Sequence, residues 1–544
     1  MNGLFDGYEP RPATYDEMFD GPQVRPGYAA VRTQVEHLSG EEMQRRAGYL
    51  SSGYLDQGVT FDIGGEERPF PLDIVPRLID AESWRVVEAG VSQRVRALEA
   101  FLADVYGEGQ VYRDGVIPRR VVTSSPHFLR AVMGLRPPAG VRVHVSGIDL
   151  VRDAHGNFRV LEDNVRIPSG VSYVMTNRRA MSAALPEVFH DQRVRPVAQY
   201  PGRLLAALRA TAPSGTADPT VVVLTPGVYN SAYFEHALLA RLMGVRLVEG
   251  NDLLARDGKV FVRTTHGLHP VDVIYRRVDD DFLDPVHFRR DSVLGVPGLL
   301  NAARAGNVTI ANAVGNGVAD DKLVYTYVPD LIRYYLAQEP ILANIDTWRM
   351  EDPQHREEVL DRLDELVLKP VDGSGGKGIV IGPRASKGEI DQLRGRLMAD
   401  PRGWIAQPVV QLSTVPTYID GRMAPRHVDL RPFAVHNGST VNVLPGGLTR
   451  VALPEGELIV NSSQGGGSKD TWVLSGRTPV EPLAARAAEH GPFHPNVKLV
   501  AAQGGSEAGQ SQSQSQSQSQ TQTQTGGGSQ SQSQSQSQGG GASC

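Results

Sequence analysis

The longest helical pattern lies between residues 81 and 106. Apolar residues recur there at intervals of three and four, at Val87, Val91, Val95, Leu98, Leu102 and Val105. This period predicts one long amphipathic helix whose apolar stripe faces the core.

Residues 142–167 show a strand pattern, with two β-rich segments on either side of the turn-forming residues 153–157. A turn centred between His155 and Gly156 places Asp149 directly opposite Glu162. Glu162 and Asn164 are two residues apart on one strand and share a face with Asp149, whereas Asp163 points the other way. Three oxygen donors on one face suit Mg²⁺. The alternative is an exposed hairpin with a polar face.

A parallel α/β unit is predicted further along the chain. Residues 220–225, TVVVLT, read as a buried strand, and the loop PGVYN follows. Ser231 can cap the next helix. The later segments VRLVEG and VDVIYRRV read as further strands, so the order strand, turn, helix, strand favours a parallel sheet.

The glycine-rich stretch 366–382 contains the spacing G-x-G-x-x-G at Gly373, Gly375 and Gly378. A dinucleotide-binding fold needs a helix after these glycines, but the β-branched run 379–381 follows instead. The order is therefore strand, glycine loop, strand. A Walker loop is also excluded, because Val371 stands at the first glycine position.

A glycine hairpin can fold its backbone N–H groups over phosphates, and mobile glycines suit a lid. Lys369 on the incoming strand can then reach the same phosphates. An ordinary glycine loop with an exposed lysine is the alternative. Residues 404–410, WIAQPVV, read as a short strand interrupted by Pro408, a pattern suited to a sheet edge or a hinge.

Composition limits the classes of protein. The 544 residues are enough for two or three interlocked α/β lobes. The 55 basic and 61 acidic residues give a net charge of −6, which offers no electrostatic reason to expect nucleic-acid binding. The lone Cys544 fits a reducing compartment, the first residues show neither a basic n-region nor an apolar h-region, and no apolar run of eighteen residues occurs. We expect a soluble cytoplasmic protein without membrane association.

The two ends of the chain differ from its middle. Residues 1 to about 75 are rich in Gly, Pro and charge, and are expected to form an arm on the body with one short helix near residues 40–49. Residues 503–544 are nearly all Ser, Gln, Thr and Gly. Such a segment cannot bury a core, and we expect a disordered tail.

These pieces together resemble the ATP-grasp superfamily. Standard members carry the nucleotide-binding lysines and glycine loop before the metal carboxylates, but here the order is inverted. That inversion resembles the circularly permuted ATP-grasp proteins related to glutathionylspermidine synthetase. The likeness spans residues 80–475 and rests on the segments VLEDNVRIPSGVSYV, NAVGNGVADDKLVYTYVPDLI, KPVDGSGGKG, RHVDLRPF and VNSSQGGGSKDTWVL.

The resemblance implies an α+β fold, a circularly permuted ATP-grasp core with a pre-ATP-grasp α/β lobe. The implied divisions are an N-terminal arm and helical segment (1–79), the core (80–475), an extension (476–502) and the disordered tail (503–544). Within the core, the metal hairpin covers 142–167, the pre-ATP-grasp lobe 218–320 and the nucleotide-binding lobe 321–475.

The resemblance also implies a function, that of an ATP-dependent carboxylate–amine ligase acting through an acyl phosphate, with ATP and Mg²⁺ as cofactors. A phosphotransferase and a non-catalytic ATP-binding protein on the same scaffold are the alternatives. The implied metal ligands are Asp149, Glu162 and Asn164. The implied nucleotide-binding residues are Lys322, Lys369, Gly373, Ser374, Gly375, Gly376, Lys377, Gly378, Gln407 and Val409.

Arg166 or Arg431 is expected to stabilise the transition state. Asp429 and Arg431 alternate along one segment and are expected on one strand face, where a structural Asp–Arg pair is the alternative to a catalytic role. The synthetase carries an arginine two residues before its first metal aspartate, where this chain has Gly147. The expected substrates are a small-molecule or peptide carboxylate and an amine. The permuted group also implies alpha-E domain and transglutaminase-like proteins as partners.

Overall fold

The fold is described from a computed structural model, for residues 3–63, 66–372, 378–457, 460 and 466–476. Only the backbone is described for residues 60–63 and 66–68. The glycine-loop residues 373–377, residues 461–465 of the second glycine loop and the predicted disordered tail lie outside these ranges. All described residues belong to one unit, which ends at Gly476.

The helices are α1 (Ala29–His37), α2 (Gly40–Asp56), α3 (Ala81–Val105), α4 (Gln110–Arg113), α5 (Arg119–Thr123), α6 (Val171–Ala184), α7 (Pro186–Asp191), α8 (Tyr200–Ala210), α9 (Tyr233–Met243), α10 (Asp280–Leu283), α11 (Leu299–Arg304), α12 (Lys322–Tyr325), α13 (Val328–Leu336), α14 (Pro353–Asp361) and α15 (Lys387–Ala399).

The strands are β1 (Phe19–Asp20), β2 (Gln23–Val24), β3 (Thr60–Ile63), β4 (Glu66–Pro69), β5 (Leu72–Ile79), β6 (Val145–Arg152), β7 (Phe158–Asn164), β8 (Val221–Leu224), β9 (Arg246–Val248), β10 (Leu253–Arg256), β11 (Lys259–Thr264), β12 (Gly267–Val271), β13 (Val273–Arg276), β14 (Thr309–Ala311), β15 (Trp348–Arg349), β16 (Leu366–Pro370), β17 (Val380–Ile381), β18 (Trp404–Pro408), β19 (Thr414–Ile419), β20 (Arg422–His427), β21 (Arg431–His436), β22 (Val441–Val451) and β23 (Gly467–Val473).

A six-stranded sheet of order β5-β23-β22-β21-β6-β7 carries the predicted hairpin at one edge. Its pairs are antiparallel except β23 with β5. Side chains alternate between its faces: Ile148 and Ala434 pack in the same cluster as α3, whereas Val145 and Phe433 pack with residues of α6. The sheet is therefore covered by helices on both faces.

The long helix is confirmed as α3, residues 81–105. Asp80 caps it, because its carboxylate accepts hydrogen bonds from the N–H groups of Glu82 and Ser83. The predicted apolar stripe is buried. Arg94 on the same helix pairs with Asp163 of β7, so Asp163 does point away from Asp149 and Glu162.

The predicted parallel unit is present as a four-stranded sheet of order β14-β13-β8-β9. The prediction that Ser231 caps the following helix is wrong. Helix α9 begins at Tyr233 and has no side-chain hydrogen bond at its N-cap, and the Asn230 side chain instead accepts a bond from the N–H of Ala232. A turn within PGVYNSA delays the start of the helix by one residue, to Tyr233.

A second four-stranded sheet, of order β15-β18-β16-β17, contains the glycine-rich segment. Strands β16 and β17 flank the glycine loop, as predicted, and pair antiparallel. Of the two alternatives for residues 404–410, the sheet edge is wrong, because β18 lies between β15 and β16, and the hinge stays a prediction. Pro408 is the last residue of β18, where a missing N–H costs little.

The N-terminal segment is more ordered than its composition indicates. It forms α1 and a helix α2 of 17 residues, longer than the short helix expected near residues 40–49. Its apolar residues Leu4, Phe5 and Met18 pack with Met423 and Trp472 of the body. No helix of the described chain is long and apolar enough to cross a membrane.

A substitution at Gly90 tests the packing of α3 against the rest of the core. A Cβ at this position would lie 2.4 Å from Cγ of the buried Leu342. We expect Gly90→Ala to lower the free energy of unfolding by about 1–3 kcal/mol, measured by urea denaturation. The matched control is Gly48→Ala in α2, where a Cβ meets nothing within 4 Å; it should stabilise by about 0.5–1 kcal/mol. Equal effects would contradict this packing.

Candidate active site

The strand register of the hairpin brings Asp149, Glu162 and Asn164 together, as the sequence predicted. Asp149 is the direct cross-strand partner of Glu162, and Gly147 is the partner of Asn164. The Asn164 amide nitrogen lies 3.5 Å from an Asp149 oxygen. A register shift between Asp149 and Leu150 marks the point where the two strands change pairing. The three predicted oxygen donors therefore lie side by side.

Asp149 is completely buried and is held by two arginines. Arg431 of β21 donates to both of its oxygens, with Nη2 2.5 Å from Oδ2. Arg450 of β22 donates from Nη2 to Oδ2 at 2.7 Å. Burying an ion costs several kcal/mol unless it is paired and hydrogen-bonded, so these arginines are required to keep Asp149 ionised inside the protein.

Asp429 belongs to the same cluster. It precedes β21 and binds Arg450 through Nε at 2.8 Å, whereas Arg431 turns to Asp149. Both side chains reach the cluster around Asp149, as expected for residues on one strand face, but they do not pair with each other. Leu430 forms reciprocal backbone hydrogen bonds with Leu150 at this point, which fixes where the neighbouring side chains point.

Gly147 makes room for Arg431. A Cβ at residue 147 would lie 3.3 Å from Cδ of Arg431 and 3.2 Å from Cβ of Pro168. The arginine stem therefore covers the surface that a side chain at position 147 would occupy. Arg431 places its guanidinium on Asp149 because that space is empty.

Two lysines approach Glu162 from other elements. Lys322, at the start of α12, places Nζ 3.5 Å from a Glu162 oxygen. Lys369, on β16, donates from Nζ to Oε1 of Gln407 at 2.6 Å, and its charge also acts on Glu162. The Gln407 amide group donates in turn to the Thr347 hydroxyl at 2.9 Å. The lysine-bearing strand and the hairpin, distant in sequence, thus share one site.

The charges of the site shift its pKa values. Burial raises the pKa of Asp149 against the opposing effect of the two arginines. Burial would also raise the pKa of Glu162, but the positive charges of Lys322, Arg431 and Arg450 outweigh it and lower that pKa. Burial lowers the pKa of Lys369 to about 8, opposed by Glu162 and assisted by Lys322. Of the two carboxylates, Glu162 is therefore the one whose charged form the site favours more strongly.

The donor set fits a divalent cation in part. Glu162 keeps 28 % of its side chain exposed and has only long ion-pair contacts, and Asn164 lies beside it. Both Asp149 oxygens already accept from arginine. No cluster of three or more His, Cys, Asp or Glu side chains suited to a metal occurs within the described ranges. A hard cation thus fits Glu162 and Asn164 directly, and Asp149 only if a guanidinium releases an oxygen.

The remaining predicted residues are placed as follows. Arg166 pairs with Asp279 at 3.1 Å and Asp320 at 3.7 Å, so within the described residues its guanidinium is directed to these carboxylates. Val409 is half-buried and directly follows the end of β18. Gly378 has φ +76°, a conformation that favours glycine. Gly373, Ser374, Gly375, Gly376 and Lys377 lie outside the described residues.

Sequence reasoning missed Arg450 and Thr347. Arg450 lies in LPGGLTRV, a segment without a motif, and only the pairing of β22 with β21 brings it to Asp149. Thr347 precedes the two-residue strand β15. Strand alternation could have placed Arg450 on a sheet face, but the partner strand was not predictable.

The fold and site together define a class of protein. A small sheet carrying Lys369 and the glycine-rich segment meets the carboxylate hairpin of a larger sheet, which is the arrangement of an ATP-grasp protein. The chain belongs to the circularly permuted ATP-grasp type 2 family, whose sequence model matches residues 76–452.

Relatives cover most of the chain. A protein of Mycobacterium tuberculosis is 59 % identical over 490 residues, which is 89 % of each chain. A protein of Synechocystis is 52 % identical over 472 residues, covering 85 % of this chain and 98 % of its own. A Frankia casuarinae protein named "Putative glutamate--cysteine ligase 2-2" is 48 % identical over 475 residues, covering 86 % of this chain and 54 % of its own.

A solved structure supports the fold. The apo form of a glutathione synthetase-like effector from Globodera pallida superposes with a TM-score of 0.52. The alignment covers 80 % of this chain and 98 % of that chain, at 12 % sequence identity. At that identity the likeness concerns the fold alone.

The Asp429–Arg450 pair gives a test of the buried cluster. We expect Arg450→Met to lower the free energy of unfolding by about 3–5 kcal/mol, because it leaves buried carboxylates undercompensated. Adding Asp429→Asn should recover about 2 kcal/mol of that loss, measured by urea denaturation of the single and double variants. The control is Arg289→Met, which removes an exposed pair with Asp291 and should leave the free energy of unfolding unchanged within error. Additive effects of Arg450→Met and Asp429→Asn would contradict the pairing.

Proposed function

We propose that the protein is an ATP-dependent carboxylate–amine ligase that works through an acyl phosphate. The observation that carries this proposal is the meeting of Lys322, Lys369 and Arg431 around Glu162 beside the buried Asp149. These groups come from three separate elements and converge on one half-exposed carboxylate. Such a cluster suits a polyphosphate held together with a cation.

The charges support a phosphate ligand. Four cationic side chains (Lys322, Lys369, Arg431 and Arg450) face three carboxylates (Asp149, Glu162 and Asp429). Arg450 pairs with Asp429, and Arg431 pairs with Asp149. The two lysines then share the single carboxylate of Glu162, so the excess of positive charge lies on them. Lysine binds phosphate as a point charge, and both lysines sit where the triphosphate is proposed to lie.

Glu162 and Asn164 are proposed to hold Mg²⁺, with Asp149 joining when a guanidinium leaves it. When bound, the cation offsets charge on the β- and γ-phosphates. Gln407 holds Lys369 in place through its side-chain oxygen and is itself held by Thr347. We assign Gln407, Val409 and the glycine loop 373–378 to the nucleotide pocket.

The proposed reaction has two steps. A substrate carboxylate oxygen forms a bond to the γ-phosphorus of ATP while the bond to the leaving ADP breaks, giving an acyl phosphate. An amine then attacks the acyl carbon, loses a proton, and expels phosphate. The chain supplies positive charge and position, and no covalent nucleophile is needed. We assign Arg431 to the developing negative charge, because its Nη2 lies 3.8 Å from the Glu162 carboxylate, whereas Arg166 pairs with Asp279 and Asp320.

The comparisons support a ligase. The Frankia relative bears the name of a putative ligase that joins glutamate to cysteine. The chain spans about half of the Frankia protein, so that protein's substrates are not transferred. We propose an amino-acid or peptide carboxylate and an amine as the substrate classes.

The function is tested by incubating the protein with ATP, Mg²⁺ and a metabolite extract and determining product masses. A ligase releases ADP and phosphate and forms a product whose mass is that of an acid plus an amine minus water. A phosphorylated product in the absence of an amine indicates a phosphotransferase, and no consumption of ATP indicates a binding protein. Either result overturns the proposal.

Glu162→Gln is the matched variant for that assay. We expect turnover to fall at least about 100-fold with an unchanged melting temperature, because the variant removes the ionised donor beside Lys322. Glu365→Gln is the control, since Glu365 is 60 % exposed and pairs with Arg362. Full activity in Glu162→Gln would remove the cation assignment.

Lys369 predicts a pH dependence of nucleotide binding. Its pKa in the free protein is about 8, so it is charged at pH 7 and neutral above pH 9. A bound phosphate favours the charged form, so binding takes up a proton and affinity falls as the pH rises through 8. We expect the Kd of the ATP analogue adenylyl imidodiphosphate with Mg²⁺, measured by calorimetry, to rise about tenfold between pH 7 and 9.

Lys369→Arg separates this effect from other titrations. Arginine stays charged over the whole range, so the variant should bind with little change between pH 7 and 9. An unchanged pH dependence in the variant would show that Lys369 is not the titrating group.

A further inference from the structure

We infer that Glu17, in the N-terminal arm, is a positioning residue for the candidate active site. It acts through Arg77 on the segment 429–431, and the inference rests on the proposed function. The family match begins at residue 76, so Glu17 lies outside it. The arm nevertheless supplies a carboxylate to the interior of the matched core.

The Glu17 side chain is only 2 % exposed, and both of its carboxylate oxygens accept hydrogen bonds. Its Oε1 accepts from Arg77 Nη2 at 2.5 Å and from the Ser413 hydroxyl at 2.8 Å. Its Oε2 accepts from Arg152 Nη1 at 2.7 Å. The Glu17 N–H donates to the Thr414 carbonyl oxygen at 2.8 Å, which fixes the backbone of the arm on the body.

Arg77 connects Glu17 to the candidate active site. It is 0 % exposed on β5 and donates from Nη1 to the carbonyl oxygen of Asp429 at 2.9 Å. The Asp429 carboxylate binds Arg450, which binds Asp149. Arg431, two residues after Asp429, holds the other side of Asp149. The Arg77 guanidinium thus links the arm to Asp429, which binds one arginine partner of Asp149 and precedes the other by two residues.

Arg152 gives a second route. It lies three residues after Asp149 on β6, and its guanidinium also donates to the Gly156 carbonyl oxygen in the hairpin turn. Glu17 therefore contacts the hairpin strand and, through Arg77, the segment facing it. A single carboxylate sets the spacing of the two segments that meet at Asp149.

A general role in stability is separable from positioning, because Asp16 offers a matched control. Asp16 is also buried and accepts from the Tyr8 and Thr414 hydroxyls and from the N–H groups of Met18 and Phe19. These bonds fasten the arm without touching Arg77. Asp16→Asn should loosen the arm as Glu17→Gln does, but leave the Arg77–Asp429 contact intact.

The test compares three variants of the full chain, Glu17→Gln, Arg77→Lys and Asp16→Asn. The probe is adenylyl imidodiphosphate with Mg²⁺, titrated by calorimetry below the melting temperature of each variant. Arg77→Lys keeps the buried positive charge opposite Glu17 but removes the second guanidinium nitrogen, which donates to the Asp429 carbonyl oxygen. We expect Kd to rise about tenfold in Glu17→Gln and Arg77→Lys and to stay within about twofold in Asp16→Asn, whatever the order of the melting temperatures.

Each outcome is decisive. Wild-type affinity in Glu17→Gln, or in Arg77→Lys should Glu17→Gln fail to fold, overturns the inference while the proposed function stands. An equal loss in Asp16→Asn also overturns it, because the effect is then a general loosening of the arm. Absence of binding by the unaltered protein overturns the proposed function and this inference with it.

Discussion

The pairing of Asp149, a carboxylate with no access to water, is the constraint on which the rest of the site depends. Its arginine partners lie 282 and 301 residues further along the chain. An unpaired ion there would cost several kcal/mol, so β6, β21 and β22 must adopt one register for the fold to be stable. Correct folding of the central sheet and assembly of the site are therefore the same event.

The two sheets contribute different parts. The large sheet, closed on both faces by helices, provides rigid carboxylates and arginines, whereas the small sheet provides Lys369 and Gln407 on a strand that leads into the glycine loop. Rigid elements hold reacting groups more accurately than loops do.

Local patterns predicted the parts of the site that depend on neighbouring residues. The turn at residues 153–157 fixed Asp149 opposite Glu162, and the β-branched run after the glycines indicated a strand instead of a helix. The errors arose where a distant partner decides the outcome. Asp429 binds Arg450 of β22 and not Arg431, which turns to Asp149, and β18 is internal because β15, only two residues long, covers its other side.

The sequence by itself determined the elements, the hairpin register and the family, since these follow from side-chain period, turn residues and motifs within short segments. The tertiary structure alone decided which charges meet. Whether Arg431, Arg450 or Arg166 faces Asp149, and whether the arm reaches the core through Glu17, depends on strand pairing across hundreds of residues. A buried charge is costly unless it is paired and hydrogen-bonded. The tertiary structure must therefore bring each of these side chains to a partner that lies far away in the sequence.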